Sequence, residues 1–174
     1  ADDGRIAVRT VIMDFPTEGQ QFVWLLPNGT IDQITDAPGL GFSDRFYWEW
    51  GFTIDSSGNV VAVSDNAESG NSRLVQIGTD GLNAWVRTYP GIRFEDVASL
   101  AGGATVAAGS CRATAGCSIG TTSVPAGPVA VQHDLAGNIE WVHTLHLADT
   151  GEGEYRRVVV DSAGDIHLTA RVYG

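Results

Sequence analysis

Short apolar runs alternate with tight polar turns along the whole chain, and no run keeps the 3.6-residue spacing of an amphipathic helix. Three stretches begin alike: Phe22-Val-Trp-Leu-Leu-Pro-Asn-Gly29, Leu74-Val-Gln-Ile-Gly-Thr-Asp-Gly81 and Val129-Ala-Val-Gln-His-Asp-Leu-Ala-Gly137. Each carries an apolar strand into an Asn/Asp/Gly turn. The second and third turns lead straight into Leu82-Asn-Ala-Trp85-Val-Arg-Thr and Ile139-Glu-Trp141-Val-His-Thr, the outgoing arms of hairpins. A second register follows in each unit, where Ile54-Asp-Ser-Ser-Gly58-Asn-Val-Val-Ala-Val matches Val160-Asp-Ser-Ala-Gly164-Asp-Ile-His-Leu-Thr. Ser99-Leu-Ala-Gly-Gly103-Ala-Thr-Val-Ala-Ala-Gly is the middle copy without its aspartate, and residues 2–9 start one more.

The chain therefore reads as one all-β domain, 1–174, repeating about every fifty residues. The units run approximately 22–72, 73–128 and 129–174, with 1–21 completing a preceding or closing one. Four antiparallel strands per unit is the blade of a β-propeller, so about three blades are expected, a partial propeller. Val, Ala and Gly crowd the register after the Asp-x-x-Gly turn, as suits strands packed face to face between neighbouring blades. Three blades are too few to close around an axis. The expectation is that further blades come from a longer chain or from another copy.

The turn units Asp-x-x-Gly-Asn-x-x-Trp (Asp134 to Trp141) and Val-Asp-Ser-x-Gly (Val159 to Leu168) resemble the seven-bladed propeller repeats of bacterial secreted and cell-surface proteins. That resemblance implies a propeller fold. It leaves activity open, since such repeats serve adhesion, scaffolding and binding as well as catalysis. Trp85 and Trp141 also resemble the blade-docking tryptophans of quinoproteins, without any quinone pocket being identifiable.

Composition narrows the function. Hydrophobic residues make up 43% and charged residues 18%, which suits a packed domain, and 22 glycines supply many turns. A net charge of −11 argues against nucleic acid, whose phosphates need a basic surface, and against anionic membranes. No apolar run is long enough to insert into a bilayer. Cys111 and Cys117 have no third cysteine or histidine near them in sequence, so a local disulfide is the expected pairing. A disulfide predicts an oxidising compartment, extracellular or at the cell surface.

Candidate chemistry sits in the loops. The Asp-x-x-Gly turns lack the further oxygens and terminal glutamate of a calcium loop, so the aspartates are expected to bond their own backbone. No cofactor is required by any motif. Ca²⁺ is the one candidate ion, at the acidic loops Asp65 to Ser72 and Asp149 to Glu154. The four histidines are dispersed, and His143 and His146 fall on opposite faces of a strand.

The variable loops hold the candidate binding residues: Arg45, Tyr47, Trp48 and Glu49; Arg93, Glu95 and Asp96; and Glu152, Glu154, Arg156 and Arg157. All occupy one position in the repeat, so a propeller would gather them on one face. Aromatic surface beside carboxylates and guanidinia suits a glycan, a peptide or a protein. The expected function is a non-enzymatic extracellular binding or assembly module. The alternative is a propeller enzyme of the polysaccharide lyase or hydrolase type, its acid and base among Glu95, Asp96, Glu152 and Glu154.

Overall fold

A strand whose two faces are both buried must be apolar at every position, and Val60-Val61-Ala62-Val63, Val106-Ala107-Ala108 and Val129-Ala130-Val131 are runs of this kind. In the computed structural model, which describes residues 6–12, 19–36, 51–66, 70–145 and 153–173, each of these runs is a central strand. All ten residues named are buried.

Fifteen strands occur among the described residues, and every pairing is antiparallel. The first sheet is β1 (Ile6–Ile12), β2 (Gly19–Leu25) and β3 (Ile31–Asp36), in that order. The second is a four-stranded meander, β4 (Phe52–Ile54), β5 (Val60–Asn66), β6 (Asn71–Ile77) and β7 (Asn83–Pro90). The third runs through β8 (Ile92–Ser99), β9 (Thr105–Cys111), β12 (Gly127–His133) and β13 (Ile139–Thr144). Between β9 and β12 the chain inserts a small hairpin, β10 (Cys117–Ile119) and β11 (Thr122–Val124). The fourth sheet is β14 (Gly153–Val160) paired with β15 (Ile166–Val172).

The sheets are phased two strands away from the sequence units. Each unit supplies its first two strands to one sheet and its last two to the next: β2 and β3 close the first sheet, while β4 and β5 open the second. The sequence period follows the turns. Sheet membership does not follow loop length: the step from β7 to the third sheet takes the single residue Gly91, whereas β9 and β12 share a sheet across residues 112–126.

Neighbouring sheets pack face to face through three apolar layers. Phe22 and Trp24 meet Val60, Ala62, Val75 and Ile77 between the first and second sheets. Val61, Val63, Leu74, Trp85 and Tyr89 meet Ile92, Phe94, Val97, Ala107, Val129 and Val131 between the second and third. Val106, Ala108 and Ala130 meet Tyr155 and Val158 between the third and fourth. Alternate residues of β5 point into different layers, the period of two acting on both faces at once.

A recurring polar contact ties each sheet to the following hairpin. Gln33 stands opposite Trp24 in the first sheet and Trp85 stands opposite Gln76 in the second, the same register position. Gln33 Nε2 donates to the Thr79 carbonyl (3.0 Å) and Trp85 Nε1 to the Leu135 carbonyl (3.1 Å). Both acceptors lie in the turn between the third and fourth strands of the next sheet. Two residues beyond Trp85, Arg87 donates to the Gly137 and Ala136 carbonyls of that turn. Gly137 has φ +75°, and a Cβ there would lie 2.6 Å from the Trp85 ring, so both backbone conformation and space demand glycine.

Candidate functional site

The last strand of one sheet leads into the first strand of the next, and there the ladder is broken in the same way twice. In β8, Phe94 pairs with Gly109 and Asp96 with Ala108, leaving Glu95 as the extra, bulged residue. In β14, Tyr155 pairs with Ala170 and Arg157 with Thr169, leaving Arg156 bulged. A bulge re-aims a side chain, and it also frees backbone groups that need partners. The Phe94 N–H donates to Ser72 Oγ of the second sheet (3.0 Å), and the Val158 N–H to Asp96 Oδ2 of the third (3.1 Å).

The two bulged residues meet. Arg156 Nη1 lies 3.3 Å from Glu95 Oε2, while Arg93 Nε lies 3.0 Å from Oε1 and Arg112 Nη2 3.9 Å from it. Oε1 has no hydrogen bond of proper geometry among the described residues, so charge alone holds it. Glu154 completes the network, with Oε2 3.6 Å from Arg112 Nη2 and Oε1 3.3 Å from Arg156 Nε. Tyr173, directly after β15, donates its hydroxyl to Glu154 Oε1 (2.5 Å). The Arg171 guanidinium lies 4.9 Å above the Tyr173 ring, a cation–π contact.

Glu95 and Glu154 are buried, whereas the Arg112 side chain is 52% exposed. Burial raises the Glu95 carboxyl above the usual range; Arg93 pulls it back down, and Glu154 pushes it further up. Burial also raises Asp96, opposed by the N–H groups of Val158 and Val97. The carboxylates are thus the floor of the cluster, and the guanidinia are its outer surface.

Of the candidate residues named from the sequence, Arg93, Glu95, Glu154 and Arg156 come together in one network. Asp96 braces the fourth sheet beside them, with Arg157 near enough to draw its carboxyl down. Arg45, Tyr47, Trp48, Glu49 and Glu152 lie outside the described residues. So does most of the acidic loop Asp149 to Glu154, along with residues 67–69 of the other. Sequence reasoning missed Arg112, Arg171 and Tyr173. Arg112 had one signal, its place next to Cys111. Arg171 and Tyr173 had none, because only the pairing of β15 with β14 sets Arg171 opposite Glu154.

Cys111 and Cys117 form a disulfide that closes the loop carrying Arg112. The Asp turns are built on their own backbone. Asp55 accepts from Ser57 N, Asn59 N, Asn59 Nδ2 and Gln76 Nε2; Asp134 and Asp161 make similar sets. Among the described residues no three His, Cys, Asp or Glu side chains are placed to hold a metal ion. No helix among them is long and apolar enough to cross a membrane.

No protein-family model matches the chain, and comparison with curated proteins finds no relative. The geometry of the chain alone must carry its functional reading.

Proposed function

We propose that the stacked sheets are blades of a β-propeller in an extracellular protein, and that the chain is a non-enzymatic binding module. Its ligand face is the end of the stack where β8 and β14 begin. The reading is supported by consecutive antiparallel sheets packed face to face, the first keyed to the second and the second to the third by the same donor position. The disulfide supports the extracellular setting.

The observation that carries the binding reading is a charge reversal. Arg93, Arg112, Arg156, Arg157 and Arg171 gather around Glu95, Asp96 and Glu154, five positive charges against three negative, in a chain of net charge −11. Arg112 and Arg171 are exposed, and neither donates a hydrogen bond to a described residue. A guanidinium in this condition suits a planar anionic partner, and a carboxylate fits its fork. The ligand is therefore assigned as carboxylate-bearing, on a glycan or a peptide. An enzyme reading draws less support, because Glu95 and Glu154 are covered by arginines and Asp96 already holds a backbone N–H.

Titration calorimetry with polygalacturonate, polyglutamate and neutral dextran tests the assignment. Binding of one acidic polymer, weakened at least about tenfold by Arg112→Ala and by moderate salt, is expected. Equal binding to dextran, or affinity indifferent to Arg112, would overturn it.

A further inference from the structure

We infer that Trp141 and the outer edge of β15 form a seat for a β-hairpin of the chain's own repeat type. The inference uses only the stacking of sheets, and it stands whether or not they close into a ring. Gln33 and Trp85 occupy one register position in successive sheets, and each donates to the same carbonyl in the hairpin turn of the sheet that follows.

Trp141 is the third member of the series. It stands opposite Gln132 in β13, directly before the same ladder irregularity that follows Trp24 and Gln76. Its ring is partly buried against the layer between the third and fourth sheets. Its indole N–H has no partner among the described residues, for the acceptor that the series calls for belongs to a hairpin beyond β15. In the fourth sheet only β14 and β15 are described.

The strand that such a hairpin would join is ready for one. β15 occupies the position of β5 and β9, since Val160 pairs with Ile166 as Ile54 does with Val60 and Ser99 with Thr105. Every residue of β9 is buried, and so are Val60 to Ser64 of β5. In β15 only Ile166 and Leu168 are even partly covered, and Val172 is 56% exposed. Ile166, Leu168, Ala170 and Val172 alternate with His167, Thr169 and Arg171, so β15 has an apolar face and an edge of unpaired backbone groups. A strand pair closed by a glycine turn satisfies both at once. Its first strand pairs with β15, and its turn brings a carbonyl to Trp141.

The test adds the hairpin to the full chain. Residues 67–90, which contain β6, its turn and β7, are repeated after Gly174, so that the natural connection follows β15. The extended chain is expected to melt at least about 5 °C higher than the original, with the appended amides protected from hydrogen exchange. Trp141→Phe keeps an aromatic ring, smaller than the indole, and removes the N–H. It is expected to cost both chains the same packing loss and, beyond that, to cancel part of the gain in the extended one. Appended amides that exchange freely would overturn the seat. A gain in full that Trp141→Phe leaves untouched would overturn the role of the indole.

Discussion

Glu95 and Arg156 are the bulged residues of successive first strands, and their side chains meet at 3.3 Å across the layer between two sheets. One device, placed twice about sixty residues apart, thus yields an ion pair rather than two separate irregularities. Its members differ in exposure, 1% for the Glu95 side chain and 32% for Arg156, and the difference sets their worth. Glu95→Ala would leave Arg93, Arg112 and Arg156 with Glu154 as the remaining carboxylate of the floor, and a loss of about 3 kcal/mol is expected. Arg156→Ala leaves Glu95 still neutralised by Arg93 and Arg112, so about 1 kcal/mol is expected. Urea unfolding of both variants checks the order. Equal losses would mean that Glu95 does not depend on the network.

Gly109 faces the bulge. A Cβ there would lie 1.9 Å from the Arg93 carbonyl oxygen and 2.7 Å from the Phe94 Cα, and backbone cannot step aside as a flexible side chain can. Gly109→Ala is expected to cost about 3 kcal/mol or to abolish folding. The control is Gly102→Ala, where no atom lies within 4 Å but φ is +78°, so that only about 1 kcal/mol of backbone strain is at stake. Thermal melts of the pair separate crowding from strain.

His133 predicts how stability responds to acid. It is wholly buried at the end of β12, hydrogen-bonded to the Tyr89 hydroxyl, and its Nδ1 has no partner. Burial, with help from Arg87 and against Asp134, holds its pKa down at about 4. An imidazole depressed in the folded state binds fewer protons there than in the unfolded chain. Its contribution is therefore full above the unfolded value near 6.5 and is lost as pH falls through about 4, on the order of 3 kcal/mol. Glu95 works in the opposite sense, since its raised carboxyl favours the folded state as pH falls through its own range above 4.5. Urea midpoints from pH 7 to 4 should fall for the parent chain and fall less for His133→Gln. Parallel curves would contradict the assignment.

The disulfide links stability to the proposed ligand face. It closes a six-residue separation, worth about 2 kcal/mol by loop entropy, and holds Arg112 within 4 Å of both Glu95 and Glu154. Intact mass before and after alkylation without reductant should show no free thiol. Cys111→Ser with Cys117→Ser should lower stability by about that amount and weaken acidic-polymer binding more than neutral-polymer binding. Unchanged binding would detach the loop from the site.

What the sequence determined by itself was local. Alternation and turn residues set the strands, because side-chain period and the demand for positive φ at Gly58, Gly81, Gly137 and Gly164 act within a few residues. The aspartates of the turns were legible for the same reason, since they bond residues two to four positions away. Cys111 and Cys117 could be paired by eliminating other partners, and Arg93, Glu95, Glu154 and Arg156 were visible as charges at one repeat position. Tertiary structure alone decided which strands share a sheet, that Glu95 and Glu154 form a buried floor, and that Arg112 and Tyr173 join them. It also decided that Trp85 reaches a carbonyl fifty residues away. Such contacts depend on which face a strand turns to its neighbour and on where a bulge shifts the register by one residue. That one-residue shift moves a side chain from core to rim, yet it leaves the pattern of apolar and polar residues almost unchanged.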